Sequence, residues 1–216
     1  KKSLIKNNIK VWQFEEKLSK EFESIGFFIS DHPINEYKEI FDIYKIQNYN
    51  SFLNLPGGEA TLAATIMKVQ EKKTKQGTSF VIIKFSDLGG VFELFLFSEM
   101  LEQNRDIIKE GKSVLITVLK DLTNRDNRFR RISVKKLVSL SDISNHSIPK
   151  IIFEIENMEN LKVFSHLISE KGNTNVKIVV LNKPKNLTFE LTEKRKINPK
   201  ILKSLKKEGY LKRINL

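Results

Sequence analysis

The chain has 216 residues, 40% of them apolar and 30% charged, enough for one large domain or two small ones around a packed core. It contains no cysteine, which excludes disulfides, thiolate metal ligands and cysteine nucleophiles. Its 38 Lys and Arg outnumber 26 Asp and Glu, a formal net charge of +12 that favours a polyanion or an acidic partner.

No apolar run is long enough to span a bilayer, so no membrane partner is expected. The start, Lys1-Lys2-Ser3-Leu4, has neither an initiator Met nor a signal-peptide core, and the chain reads as a cytoplasmic piece cut from something longer. Residues 1–55 balance 8 basic against 8 acidic side chains, whereas residues 56–139 carry 15 against 10 and residues 140–216 carry 15 against 8. The basic excess therefore lies wholly in the last two thirds. Turn-rich stretches at Pro56-Gly57-Gly58 and at 141–149 fit these cuts, giving a helical segment 1–55, a middle domain 56–140, a linker 141–149 and a tail domain 150–216.

In the first segment Leu18, Phe22 and Ile25 recur at helical spacing, and Gly26 offers a left-handed stop. Ser30-Asp31-His32-Pro33 then offers a cap and a first-turn proline for a second helix carrying Tyr37, Ile40, Phe41 and Tyr44. The middle segment changes period. Residues 60–69, 80–85, 91–97, 114–119 and 129–138 read as five strands, with a helical or turn-rich stretch at 98–109 closed by Gly111. Three strands, a helix and two strands is the layout of an OB-fold β-barrel, with an SH3-like barrel as competitor. The tail predicts strands at 151–155, 176–181 and 187–191, a helix at 158–168 capped by Asn157, and a last helix opened by Asn198-Pro199 and closed by Gly209. The fold class is thus mixed: N-terminal helices, a five-stranded barrel and a small α/β domain.

Convergent catalytic chemistry is not visible. His32, His146 and His166 fall in separate segments without metal-ligand spacing and read as turn, linker and helix-surface residues. Gly57-Gly58 and Gly89-Gly90 lack the companions of a phosphate loop and read as a hinge and a hairpin turn. Asp87 and Glu93 flank that hairpin without a third carboxylate. No catalytic residue, metal ligand or cofactor site is assigned.

Binding residues are assigned instead. In an OB barrel the loop between the first two strands and the loop between the last two border the nucleic-acid groove. The first supplies Lys72, Lys73 and Lys75; the second supplies Arg125 and Arg128, with Arg130 and Arg131 entering the last strand. Such cations release counterions from a nucleic-acid backbone, and arginine also stacks on bases. Phe80 and Phe129 are placed either in the core or as stacking rings. The second strand is apolar on both faces, so one face needs another domain or a partner to cover it. The last helix sets Lys200, Lys203, Lys206, Lys207 and Lys212 around the stripe Ile201, Leu202, Leu205, a pattern open to partner docking, to phosphate contact or to a solvated face.

The string Glu21-Phe22-Glu23-Ser24-Ile25-Gly26-Phe27-Phe28-Ile29-Ser30-Asp31-His32-Pro33-Ile34-Asn35-Glu36-Tyr37, behind Trp12 and Glu16-Lys17-Leu18, resembles the stretch before the OB domain of bacterial DNA polymerase III alpha subunits. Phe28 stands for the family's tyrosine and Asp31 for its glycine. Thr74-Lys75-Gln76-Gly77 followed by Phe80 and Val81, then Phe85-Ser86-Asp87-Leu88-Gly89-Gly90 and Glu93-Leu94-Phe95-Leu96-Phe97, is similar to the family's barrel. The tail resembles the family's C-terminal domain only weakly, through Leu202-Lys203-Ser204-Leu205 before Gly209.

The resemblance implies a C-terminal part of a replicative DNA-directed DNA polymerase, whose Mg²⁺-binding palm aspartates have no counterpart here. It implies an OB domain near single-stranded template DNA and a tail that docks the clamp-loader tau subunit. Nothing between Lys1 and Val11 matches the family's sliding-clamp peptide. A protein-interaction scaffold that binds no nucleic acid is the alternative.

Overall fold

The structure is a computed structural model describing residues 12, 14–121, 132–182 and 184–215. Among these residues no helix is long and apolar enough to cross a membrane.

Helix α1 (Phe14–Ile25) ends where Gly26, at φ +76°, turns the chain back. The sequence after it forms a short 3-10 turn (Pro33–Tyr37) and α2 (Lys38–Tyr44) in place of one continuous helix. Helix α3 (Tyr49–Asn54), capped by the Asn48 side chain, precedes the strands and is absent from the sequence expectation.

Five strands follow: β1 (Gly58–Lys73), β2 (Ser79–Asp87), β3 (Gly90–Phe97), β4 (Ser113–Lys120) and β5 (Ile132–Ser139), with α4 (Ser98–Asn104) between β3 and β4. They form one antiparallel sheet in the order β3-β2-β1-β4-β5. Strand β1 organises it by changing partners. Its first half pairs with β4, its second half with β2, and the register shifts between Ile66 and Lys68. At that bulge Ile66 exchanges backbone bonds with Gly111 and Lys112, and Glu110 Oε1 accepts the Val69 N–H at 3.1 Å.

Among the described residues the expected barrel is not closed. Strands β3 and β5 touch, but among the described residues no hydrogen-bonded ladder joins them. One face of the sheet buries Leu62, Ile66, Ile83, Phe85, Leu96 and Ile116, with Phe52 of α3 and Leu101 of α4 sealing it. On the other face Ala63 and Leu115 lie under Ile34, Ile40, Leu140 and Ile143.

The stretch 141–149, expected as a linker, is built into these cores. Leu140 and Ile143 of α5 (Leu140–Ile143) are buried against the first sheet, and Ile148 is buried against the second. That second sheet holds β6 (Lys150–Ile155), β7 (Lys171–Val180), β8 (Leu187–Glu190) and β9 (Leu211–Asn215) in the order β8-β7-β6-β9. Strands β6 and β7 run parallel around α6 (Met158–Leu167), as a βαβ unit requires, and β9 is an unforeseen antiparallel edge. Helix α7 (Pro199–Lys207) packs on the same core through Leu202 and Leu205.

Candidate nucleic-acid interface

The segment carrying the family-like motif is folded by its own polar side chains and tied to the first sheet through His32. The Glu21 carboxylate accepts the N–H groups of Ile29 (2.9 Å) and Ser30 (3.0 Å) and the Ser30 hydroxyl, which holds it below the usual carboxylate range. Asp31 is lowered by its bonds to the Asn35 amide and the His32 N–H. His32 caps the 3-10 turn: Nδ1 accepts the Ile34 N–H at 3.3 Å, so the proton sits on Nε2, which lies 3.1 Å from Ser86 Oγ of β2. Burial pushes His32 down from its ordinary value, opposed by Asp87 and Asp31. This motif is therefore a docking device. It covers the outer face of the sheet beside Ser86, at one end of β2.

At the other end of β2 and β3 the pairing registers stack side chains in rows. Lys72 of β1, Phe80 of β2 and Phe97 of β3 form one row; Gln70, Ile82 and Phe95 form the next; Lys68, Lys84 and Glu93 form a third. Phe95 and Phe97 are each 51% exposed and Phe80 and Ile82 half-buried, so an apolar strip faces outward beside a lysine-bearing strand. Val81, Ile83, Leu94 and Leu96 point the other way into the core. Phe80 is thus on the outer face, in the apolar strip that the second strand's double-sided pattern demanded.

Lys72, Lys73 and Lys75 are exposed at the turn joining β1 to β2. Lys68, Lys84, Phe95 and Phe97 were missed as site residues. Their two-residue alternation was visible, but the register that sets them beside Phe80 is not written in either strand alone. Arg125, Arg128, Phe129, Arg130 and Arg131 lie outside the described residues. The stems of the two basic loops do not meet at one end: Lys73 pairs with Ser79 at the C-terminal end of β1, and Gly58 pairs with Lys120 at its N-terminal end. The shared-groove expectation turns on residues 122–131, which lie outside the described residues.

The tail residues separate by burial. Leu202 and Leu205 are core side chains and Ile201 packs against the same cluster, so the apolar stripe of α7 is covered by its own sheet. Lys203 donates to the Glu36 carbonyl at 3.0 Å, Lys206 approaches the Glu39 carboxylate at 3.9 Å, and Lys212 pairs with Glu156 at 3.2 Å. Lys200 and Lys207 are exposed. His146 and His166 are exposed as well, and among the described residues no three His, Asp or Glu side chains gather as metal ligands.

No protein-family model matches the chain. It is 33% identical over 156 residues to DNA polymerase III subunit alpha of Rickettsia conorii, covering 71% of this chain and 13% of the relative. The same protein of Rickettsia bellii is 31% identical over 182 residues, covering 80% of the chain and 15% of the relative. That of Borreliella burgdorferi is 27% identical over 146 residues, covering 66% and 12%. The matched length is too great for the helix–turn motif alone and takes in most of the first sheet. Spanning about an eighth of the length of these relatives, the chain belongs to the family of bacterial DNA polymerase III alpha subunits.

Proposed function

We propose that the chain is a non-catalytic C-terminal part of a replicative DNA-directed DNA polymerase that holds single-stranded template against its five-stranded sheet. The observation that carries this reading is the outer face of β2 and β3, where the exposed Phe95 and the half-buried Phe80 stand beside the exposed Lys72 of β1. Rings take bases and lysines take phosphates, the combination that single-strand binding needs. The strand order and the contact between β3 and β5 agree with an OB-type module, which binds through the face of its second and third strands. Polymerisation, with Mg²⁺ at palm aspartates, belongs to the rest of the protein.

The second sheet is proposed to dock the clamp-loader tau subunit, through the exposed Lys200 and Lys207 rather than through the buried stripe of α7. Charge reversal at these two lysines is expected to weaken capture of tau without unfolding the tail.

The test of the DNA reading is a fluorescence titration with single-stranded and duplex DNA at two salt concentrations. Single strands should bind more tightly. Replacing Lys68, Lys72 and Lys84 by alanine should reduce the salt slope by about 2. No single-strand binding by the native chain would favour the alternative, a protein-interaction scaffold whose apolar strip meets another domain.

A further inference from the structure

The two outer strands of the second sheet are built differently. At β9 the register shifts opposite Glu154 and Ile155, and Lys212 and Arg213 stand in the strand. A bulge and adjacent cations keep a foreign strand off an edge. Strand β8 carries neither. Its pairing with β7 is regular from Leu187 to Glu190, its residues are all exposed, and among the described residues no strand lies on its outer side. Leu187 and Phe189 stand opposite Val180 and Ile178 of the second core, yet are 39% and 37% exposed. The apolar layer of this half thus runs to the edge and stops uncovered. One bond fixes the direction of the backbone groups. The Leu191 N–H donates to the Val176 carbonyl at 3.0 Å, continuing the register of the ladder. Bonded and unbonded residues alternate along an antiparallel strand. Leu187 and Phe189 therefore turn their N–H and C=O groups to β7, and Thr188 and Glu190 turn theirs outward.

We infer that β8 is a self-pairing edge: two copies of the chain join antiparallel through it, about a two-fold axis at Thr188, into one eight-stranded sheet. This goes beyond the DNA and tau readings and does not depend on them. An axis perpendicular to the sheet keeps both helix-bearing faces on one side, so paired positions must share parity. Centred on Thr188, that register sets Thr188 opposite its own copy and bonds the two backbones there. It sets Leu187 opposite Phe189 twice, so that four apolar side chains cover one another. Glu190 meets Asn186 and Leu191 meets Lys185, so no like charges face each other. The same operation on β9 would crowd four cations, Lys212 and Arg213 from each copy. A foreign segment on β8 would need an apolar, a hydroxyl and an apolar side chain in turn, and the chain itself supplies them. So short a strand buries less than the ~1,200 Å² of a stable interface, and the dissociation constant is expected to be weaker than about 1 µM.

The experiment follows the 216-residue chain by sedimentation from low micromolar to near-millimolar concentration. Nuclease treatment and about 0.5 M salt keep nucleic acid from bridging this cationic chain. The mass should rise from monomer towards dimer with concentration. Thr188 is exposed, so Thr188→Lys should keep the thermal midpoint while setting two cations face to face on the axis, and the variant should stay monomeric. Because the chain has no cysteine, Thr188→Cys reports the axis directly. Paired residues stand about 5.5 Å apart at Cα, within reach of a disulfide. Mild oxidation should give a covalent dimer of Thr188→Cys and not of Ser165→Cys on α6, whose side chain is also exposed. A native chain that stays monomeric at every concentration overturns the inference. So do equal cross-linking of the two cysteine variants and a dimer that survives Thr188→Lys, which would lie on another surface.

Discussion

The ammonium of Lys120, at the end of β4, donates to the carbonyl oxygen of Leu53 at 2.5 Å across 67 positions of sequence. It also donates to the Leu55 carbonyl at 2.9 Å and lies 5.9 Å from the centre of the Phe52 ring. These carbonyls belong to the last turn of α3 and its exit, which no following helical N–H satisfies. The lysine, only 6% exposed, therefore ends one helix and ties it to the sheet. Lys120→Met keeps the buried stem but strands both carbonyls. The expected loss is about 1–3 kcal/mol of stability, read in a denaturant titration, against almost no change for Lys120→Arg if the guanidinium reaches the same oxygens.

His32 predicts a pH dependence. Burial lowers its pKa below the unfolded value of 6.5, so the docked imidazole is neutral and the unfolded chain binds more protons in acid. Its contribution is complete above about pH 6.5 and is lost as the pH falls through that value towards the lower folded pKa. Glu21 and Asp31 are also lowered, but their contributions fade only in the acid range of carboxylates. The thermal midpoint should fall between pH 7.5 and 5.5, and His32→Gln should flatten that step. A step of the same size in the variant would assign it to another group.

Gly172, near the start of β7, passes against the backbone of the returning segment. A Cβ built there would stand 2.5 Å from Lys196 Cα and 2.7 Å from Lys196 N. Backbone atoms cannot swing aside as a side-chain tip can. Gly172→Ala is expected to cost about 1–3 kcal/mol and to loosen the bonds between Glu170 and Lys196, visible as faster amide exchange at Lys196.

The loop after β4 carries four arginines within seven residues, Arg125 to Arg131. Because its stem pairs with Gly58 and the other basic turn follows Lys73, a strand must run along β1 to meet both. Replacing Arg125, Arg128, Arg130 and Arg131 by alanine should lower affinity and salt slope for long single strands, and much less for oligonucleotides just long enough to cover the outer face of β2 and β3. An equal loss at both lengths would place the arginines next to Phe80.

The five strands were legible because Val, Ile and Phe alternate or cluster in runs bounded by glycine turns, as in Phe80 to Phe85. The outward position of Phe95 and Phe97 was not, since a strand states its two faces but not which one a neighbour will cover. His32 was readable as a cap from Asp31 and Pro33; its bond to Ser86 spans 54 positions and leaves no local trace. Helix α3 has only six residues, too few to show a period, although Asn48 stood ready as its cap. In α7 the stripe Leu202–Leu205 looks the same whether its own sheet or a foreign surface covers it. Strand β9 was not legible because Leu211 and Ile214 stand three positions apart around Lys212-Arg213, which is no strand period; the register shift opposite Glu154 and Ile155 lets both pack on the second core.

Helix α2 is seven residues long, yet Ile40 is buried beneath the first sheet and Ile43 packs against the core of the second. It works as a common strut between the two cores. A nick between Leu55 and Gly58 that let the N-terminal arm drift away would strip cover from both halves at once, and damage to the tail would be felt at the arm. Mechanical load applied to one end of this piece of polymerase thus passes to the other through two isoleucines three positions apart.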